Sequence, residues 1–313
     1  MKSLTRSETA RFLAEHDSFA IVTHRRPDGD TAGSAAVLCM GLRQLGKTAY
    51  VLENPELTEK YAPLHRGLTK KQAAPGDTVV CVDVASPNML PNGFQELDIA
   101  LRIDHHSAAA SFTPNELVDP DAAACGEIVY DVLTEMGVTL DIPMATALYT
   151  AVSTDTGCFR YANTTAHTLR TAAACKEAGA DTFALNQALF ETNSLARLRL
   201  QGWLVENALF LQEGKIAICA LPRSKEQELG LTEDDMENIS GFPRTIAGVK
   251  IAAMLRQEPD GRIKLSVRAV PGCDAAAICA KFGGGGHKGA AGASMTMTME
   301  QAVDAVKAAM PTL

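Results

Sequence analysis

"SFAIVTHRRPDGDTAGSAAVLCMGLRQLG", residues 18–46, passes from an apolar run into a charged loop and then into a segment of helical spacing. Its opening, "SFAIVTH", reads as a strand that ends in charge. "TAGSAAVLCMGLRQLG" reads as a helix closed by Gly46, and "TAYVLE" (48–53) supplies the next strand. Two further runs, "DTVVCVDVAS" (77–86) and "DIALRIDHHS" (98–107), are almost continuously apolar, as strands covered on both faces are, and each stops at an aspartate. Helical patterns follow in "CGEIVYDVLTEMG" (125–137), "PMATALYTAVSTDTG" (143–157) and "AHTLRTAAACKEAG" (166–179). This order predicts an α/β fold: an open, mostly parallel sheet with flanking helices, in which ligands sit at the C-terminal ends of the strands.

Farther along, "ETNSLARLRLQGWLVENALFLQ" (191–212) keeps helical spacing and suits a connecting helix. "GKIAICAL", "AGVKIAAMLRQ" and "GRIKLSVRAV" then read as strands, the last two joined through the turn "EPDG", and "CDAAAICAKF" is a short helix leading into "GGGGHKGAAGA". The expected organisation is a first domain over residues 1–190, the connecting helix over 191–212 and a smaller α/β domain over 213–313.

With 313 residues, the chain is long enough for about two domains. Hydrophobic residues make up 46 % and aromatics only 5 %, a balance closer to α/β enzymes than to secreted or disordered chains. The eight cysteines are scattered singly through apolar runs with no CxxC pair, which predicts buried, reduced thiols. "MKSLTRSETARFLAEH" lacks the apolar centre of a signal peptide, and no run approaches the roughly 18 apolar residues of a membrane span. The expectation is a cytoplasmic protein with no membrane partner. Charge is uneven. Residues 1–213 carry 17 basic and 26 acidic side chains, whereas residues 214–313 carry 12 and 11. Such an acidic chain is a poor ligand for long duplex nucleic acid but can hold a short phosphorylated molecule beside bound cations.

Charged residues gather where strands end: His24, Asp28 and Asp30 after the first, Asp83 after another, Asp104, His105 and His106 after a third, and Asp155 in "STDTG". Taken singly, each aspartate could cap a helix or open a turn. Together at one sheet edge they would repel one another unless cations lay among them. Carboxylates mixed with imidazoles, without cysteine, favour manganese or magnesium, with cobalt or iron as alternatives, over structural zinc. A site so rich in carboxylate can hold two divalent cations and acidify a shared water for attack on a phosphate ester. Pro27 and Gly29 suit the tight turn that aims Asp28 and Asp30, while Gly33 is equally suited to close helix packing.

"HRRPDGD", "VCVDV", "RIDHHS" and "STDTGCF", in that order, resemble the four motifs of the DHH phosphoesterase superfamily, and "SVR" followed by "FGGGGHKGAAG" resembles its C-terminal DHHA1 domain. Size and domain order are most similar to the nano-RNase and pAp-phosphatase branch. The resemblance implies two divalent cations, Mn²⁺ foremost with Mg²⁺ or Co²⁺ as alternatives, and an active site in a cleft between the two domains. It assigns His24 and Asp28 to one ion, Asp30, His105 and Asp155 to the other, and Asp83 to both. Asp104 would orient a ligand or water, and His106 would face the scissile phosphate as charge stabiliser or proton donor. In the second domain, Arg268 and His287 would grip phosphate beside Gly283, Gly284, Gly285 and Gly286, whose N–H groups could form an anion nest. Arg160 either touches substrate or pairs with a surface acid, and Thr165 in "NTT" either belongs to the site or caps the next helix. Where many relatives carry an asparagine after the two histidines, this chain continues "SAAASF".

The implied activity is hydrolysis of short single-stranded RNA to mononucleotides, with removal of the 3′-phosphate of pAp by the same site. Cleavage of pApA or cyclic di-AMP is the nearest alternative, an inactive nucleotide-binding sensor is the alternative of another class, and a homodimer is left open.

Overall fold

In the computed structural model, which describes residues 1–106 and 111–313, the chain divides into two units, Met1–Thr192 and Asn193–Leu313. Of the stretch "SAAASF" after the two histidines, residues 107–110 lie outside the described residues.

Each strand of the first unit grows from a short apolar run. They are β1 (Lys2–Ser3), β2 (Ser18–Val22), β3 (Thr48–Leu52), β4 (Thr69–Lys70), β5 (Thr78–Val82), β6 (Ile99–Asp104) and β7 (Asn115–Val118). The helices are α1 (Arg6–Ala14), α2 (Gly29–Gln44), α3 (Cys125–Glu135), α4 (Ile142–Asp155), α5 (Ala166–Glu177) and the short α6 (Thr182–Asn186). All pairings are parallel, in the order β1-β7-β6-β5-β2-β3-β4. Alternation along the strands splits the apolar side chains between two faces. Phe19, Ile21, Val80, Val82, Leu101 and Ile103 pack with residues of α2, α3 and α4, including Leu38, Ile128 and Leu148. Ala20, Val22, Cys81 and Ile99 pack on the other side with Leu90, Met89 and Phe94 from connecting segments.

The chain runs from β2 outward to β3 on one side, while β5 lies on the other. The order therefore reverses between β2 and β5, and open parallel sheets hold ligands at such a reversal, beyond the strands' C-terminal ends. His24 follows β2, Asp83 follows β5, and Asp104 ends β6.

Gly33 shows why α2 and α4 approach so closely. A Cβ there would lie 2.4 Å from the carbonyl oxygen of Ala147 and 2.9 Å from the Ala151 Cβ; one turn earlier, a Cβ on Gly29 would lie 2.4 Å from Thr154 Oγ1. The contact sets the start of α2 beside the end of α4, where Asp155 sits. Gly33→Ala is expected to lower the unfolding free energy by about 1–3 kcal/mol, because the backbone carbonyl of Ala147 has little room to retreat. Urea denaturation measures it, and an unchanged midpoint would mean that the helices separate without cost.

The second unit contains α7 (Leu195–Glu206), β8 (Leu209–Leu211), β9 (Ile216–Leu221), α8 (Arg223–Leu229), α9 (Glu233–Met236), β10 (Ile251–Gln257), β11 (Ile263–Ala269), α10 (Ala275–Ala280), β12 (Gly285–Gly286), β13 (Ala290–Met295) and α11 (Met299–Ala309). Its sheet order is β12-β13-β11-β10-β9-β8, antiparallel except for β9 with β10. The segment read as a connecting helix is helical over α7 only. Leu200 and Leu204 are buried against Cys219, Leu221 and Met254 of the sheet, and the chain then turns into the edge strand β8. Among the described residues, no helix is long and apolar enough to cross a membrane. Six cysteines are buried and two, Cys158 and Cys273, are partly exposed.

A carboxylate and imidazole centre at the sheet edge

Asp28 is the N-cap of α2 and accepts the N–H groups of Asp30 and Thr31 at 3.1 and 3.2 Å. Asp30 is fully enclosed. Its Oδ1 accepts Ser34 Oγ at 2.9 Å and the Gly126 N–H at 3.0 Å, and its Oδ2 accepts the Cys125 N–H at 2.7 Å. The first turn of α3 thus holds this carboxylate with its unpaired amides, as helix N-termini hold anions.

Asp83 is 2 % exposed and adopts φ = +59°, in the left-handed region, while its N–H is tied to the Ile103 carbonyl at 2.9 Å. A non-glycine residue held in that conformation is costly and concentrates at functional sites. Its Oδ1 is buried and accepts no hydrogen bond among the described residues.

Three imidazoles surround it. His24 Nε2 lies 3.5 Å from Asp83 Oδ2 and 3.6 Å from Asp28 Oδ1. His105 Nε2 lies 3.5 Å from Asp83 Oδ1 and 3.8 Å from both Asp30 Oδ2 and Asp155 Oδ2. His106 Nδ1 lies 3.5 Å from Asp83 Oδ1 but 2.8 Å from Asp104 Oδ1. Apart from the last, these separations are too long for good hydrogen bonds. Backbone carbonyls fix the two outer rings: His24 Nδ1 donates to Arg25 O at 2.8 Å and His105 Nδ1 to Ala122 O at 3.2 Å. Each Nε2 is then turned to the carboxylates and can bind a cation once its proton is given up, as in histidines that ligate metals.

Three overlapping groups could each hold a cation: His24, Asp28 and Asp83; Asp30, His105 and Asp155; and Asp83, His105 and His106. The orphaned Asp83 oxygen and the nitrogen and oxygen donor set fit divalent ions such as Mn²⁺ and Mg²⁺.

Without ions the centre keeps protons. Burial and the charges of Asp83 and Asp155 push Asp30 well up. Burial, opposed by His105 and reinforced by Asp83 and Asp28, lifts Asp155 to about 7. Burial depresses His105, but Asp30, Asp83 and Asp155 outweigh it and raise the ring to about 9. Asp155 and His105 therefore hold protons more tightly when folded than when unfolded. Their stabilisation is complete below the ordinary carboxylate and imidazole values and is lost as pH rises through about 7 and about 9. Cations replace those protons. The gap in melting temperature between ion-loaded and chelator-stripped protein is accordingly expected to widen from pH 6 to pH 9. Scanning calorimetry in chelator and in Mg²⁺ checks it, and a constant gap would show that ions do not displace these protons.

Several supports lay outside the sequence reading. Asn54 Nδ2 donates to Thr23 Oγ1 at 3.0 Å and to the His24 carbonyl at 2.9 Å. Asn163 Nδ2 reaches the carbonyls of Ala123 and Asp155 at 3.1 and 3.2 Å. Ser34, one turn beyond Asp30, had a readable signal in its i,i+4 spacing; the other two are long-range. Thr165 caps α5, accepting the Thr168 N–H at 3.1 Å. Arg160 is exposed and donates to the Gly157 carbonyl at 2.6 Å.

In the second unit, Arg268 and Ser266 of β11 and Gly285 and Gly286 of β12 line a recess of about 480 Å³. Within the glycine run, two of the N–H groups are used inside the unit. The N–H groups of Gly283 and Gly284 donate to the carbonyls of Ala280 and Cys279, and Gly285 and Gly286 pair with β13. Gly284 and Gly286 also allow close strand packing, since a Cβ would lie 2.2 Å from Gly292 O and 2.7 Å from Ala290 O, respectively. His287 is exposed in the turn that follows, with its N–H on Ala290 O at 2.8 Å.

A parallel sheet whose reversal point gathers carboxylates and imidazoles in overlapping ion-binding groups places the chain among hydrolases of phosphate esters. Residues 18–152 match the DHH family, N-terminal domain, and residues 213–311 match the DHHA1 domain. A Thermus thermophilus protein named bifunctional oligoribonuclease and PAP phosphatase NrnA is 33 % identical over 289 residues, 91 % of this chain and 87 % of that protein. A Bacillus subtilis protein of the same name is 25 % identical and covers 93 % of each chain. The fold is shared with an exopolyphosphatase-related protein from Bacteroides fragilis, at a TM-score of 0.82 and 24 % identity over 97 % of this chain and 94 % of that one. The chain belongs to the DHH family of phosphoesterases and carries the DHHA1 domain that accompanies it.

Proposed function

We propose that this enzyme hydrolyses short oligoribonucleotides to mononucleotides and removes the 3′-phosphate of pAp with the same centre, using two divalent cations, Mn²⁺ foremost. The observation that carries the reading is the position of Asp83, with one carboxylate oxygen 3.5 Å from His24 Nε2, beside Asp28, and the other 3.5 Å from His105 Nε2, beside Asp30 and Asp155. The full-length likeness to proteins named for these two activities supports the choice of substrate.

Two bound cations supply an acidified water and a charge clamp for in-line displacement at phosphorus. His24 and Asp28 would hold one, and Asp30, His105 and Asp155 the other. Asp83 would serve both. Asp104 accepts the Nδ1–H of His106 and fixes that ring, so His106 can steady developing charge or give a proton to the departing oxygen. Arg268, Gly284, Gly285, Gly286, His287 and Arg160 are proposed as contacts to the nucleotide. A planar guanidinium such as that of Arg268 suits phosphate in two places at once.

The test is a panel with Mn²⁺ and, separately, pAp, pApA, cyclic di-AMP, oligoribonucleotides of two to ten residues and pyrophosphate, with products separated by chromatography. Nucleotide monophosphates from the shortest RNAs and AMP from pAp are expected, and chelation should abolish both. Preference for pApA or cyclic di-AMP would move the substrate assignment. Tight nucleotide binding without turnover would make the protein a sensor, a reading disfavoured by the intact ligand set around Asp83.

A further inference from the structure

Arg102 stands two residues before Asp104 on β6, and two residues apart on a strand share a face. Its side chain is only 1 % exposed. Its register neighbours are Cys81 on β5 and Glu116 on β7, and its guanidinium carbon lies 5.2 Å from the centre of the Phe112 ring. Burying a guanidinium in such a place is costly, and an apolar side chain of similar size often packs there as well or better. Stability alone therefore gives a weak reason for this residue.

The two acids beside it differ in what they lack. Glu116, 3.7 Å from Arg102 Nη1, is well supplied: it accepts Ser111 Oγ at 2.7 Å and the N–H groups of Phe112 and Thr113 at 2.9 and 3.3 Å. Among the described residues, Asp104 is supplied on one oxygen only. Its Oδ1 accepts the N–H groups of His105 and His106 at 2.8 and 3.2 Å and the His106 ring Nδ1–H at 2.8 Å. Its Oδ2 accepts no hydrogen bond among the described residues and faces Arg102 Nε at 3.5 Å. Arg102 thus places a fixed positive charge behind the carboxylate, with the His106 ring in front.

We propose that Arg102 is a positioning residue that holds the Asp104 carboxylate in the orientation that fixes the His106 ring through Nδ1. The role of that ring at the phosphate rests on the function proposed above, but the hold itself does not. Without the guanidinium, the second oxygen of Asp104 loses its facing charge, the carboxylate can turn, and the ring loses its fixed orientation. A ring fixed by a carboxylate on one nitrogen is the arrangement that presents the other nitrogen for proton transfer.

The test compares Arg102→Met, Arg102→Lys and Glu116→Gln with the parent protein, labelled with ¹⁵N-histidine and loaded with Mg²⁺. The Nδ1–H resonance of His106 is assigned by its loss in His106→Gln. It should be protected from exchange in the parent and in Glu116→Gln, and lost or strongly moved in Arg102→Met. On a diribonucleotide, kcat should fall about 10- to 100-fold in Arg102→Met with KM little changed, the range for losing a residue that orients a working group. A p-nitrophenyl nucleotide ester, whose leaving group needs no proton, should respond far less, and Arg102→Lys should recover part of the loss. An unmoved His106 resonance in Arg102→Met, or an equal loss in Glu116→Gln, would overturn the proposal. Should the methionine variant not fold, Arg102→Lys decides: its shorter arm must shift the resonance, and an unshifted signal sinks the idea. A parent protein that shows the protected resonance yet hydrolyses none of the substrates supports the hold while removing the reaction, so the two readings fail separately.

Discussion

Asparagine at position 83 is expected to cut hydrolysis of a diribonucleotide and of a small chromogenic phosphodiester alike, by at least about 10²-fold. The two carboxylate oxygens of Asp83 face His24 on one side and His105 and His106 on the other. An amide keeps the shape but removes the charge that both ion-binding groups share. The substitution is also mild for the backbone, because asparagine tolerates the positive φ found here better than most residues. Loss of activity with an unchanged circular dichroism spectrum and fewer bound ions by elemental analysis is the expected outcome. A near-normal rate would reduce Asp83 to a strand-end residue and remove the two-ion reading.

Arg268→Ala should separate holding from chemistry. Arg268 belongs to the second unit, where it is half-buried on β11 and donates from Nη1 to the Val267 carbonyl at 3.1 Å, beside Ser266 in the glycine-edged recess. If it grips a phosphate other than the one being cleaved, its removal should weaken hydrolysis of a diribonucleotide by about 2–5 kcal/mol, the range for a desolvated charge pair. A small chromogenic phosphodiester has no second phosphate to hold, and its slow hydrolysis should change little. Steady-state kinetics on both substrates decide the matter. Equal losses in soundly folded protein would place Arg268 at the reacting phosphate or make it a support of the whole site.

Most of the ion-binding residues were legible because they lie in the segments that follow β2, β5 and β6, so the parallel sheet carries them to one edge whatever the details of packing; Asp155 reaches that edge from the end of α4 instead. Gly33 was ambiguous in sequence; the carbonyl of Ala147, more than a hundred residues away, shows it to be a packing residue. The glycine run was only partly legible for a related reason. Whether its N–H groups are available depends on the carbonyls at the end of α10, and these accept Gly283 and Gly284. Short strands escaped notice as well: "NELV" in β7 has too little apolar sequence to stand out, and it is recruited by β6. At β8 the chain leaves the helical pattern early because a neighbouring strand, β9, offers it a ladder. Arg102 sits inside an apolar run, where periodicity gives no hint that two acids meet it.

The proposed ligands run from His24 to Asp155, on four separate stretches of chain that come together only when β2, β5, β6 and the end of α4 are all in place. Contacts of such long sequence separation form late, after most of the entropy of loop closure has been spent. A cation that needs all of them has little to hold in a half-built chain, so it belongs to the native side of the folding barrier. Metal should therefore leave the refolding rate almost untouched and act as a brake on unfolding, as interactions absent from the transition state do. The lifetime of the native state, more than the speed with which it is reached, is what the ion content of the surroundings would set.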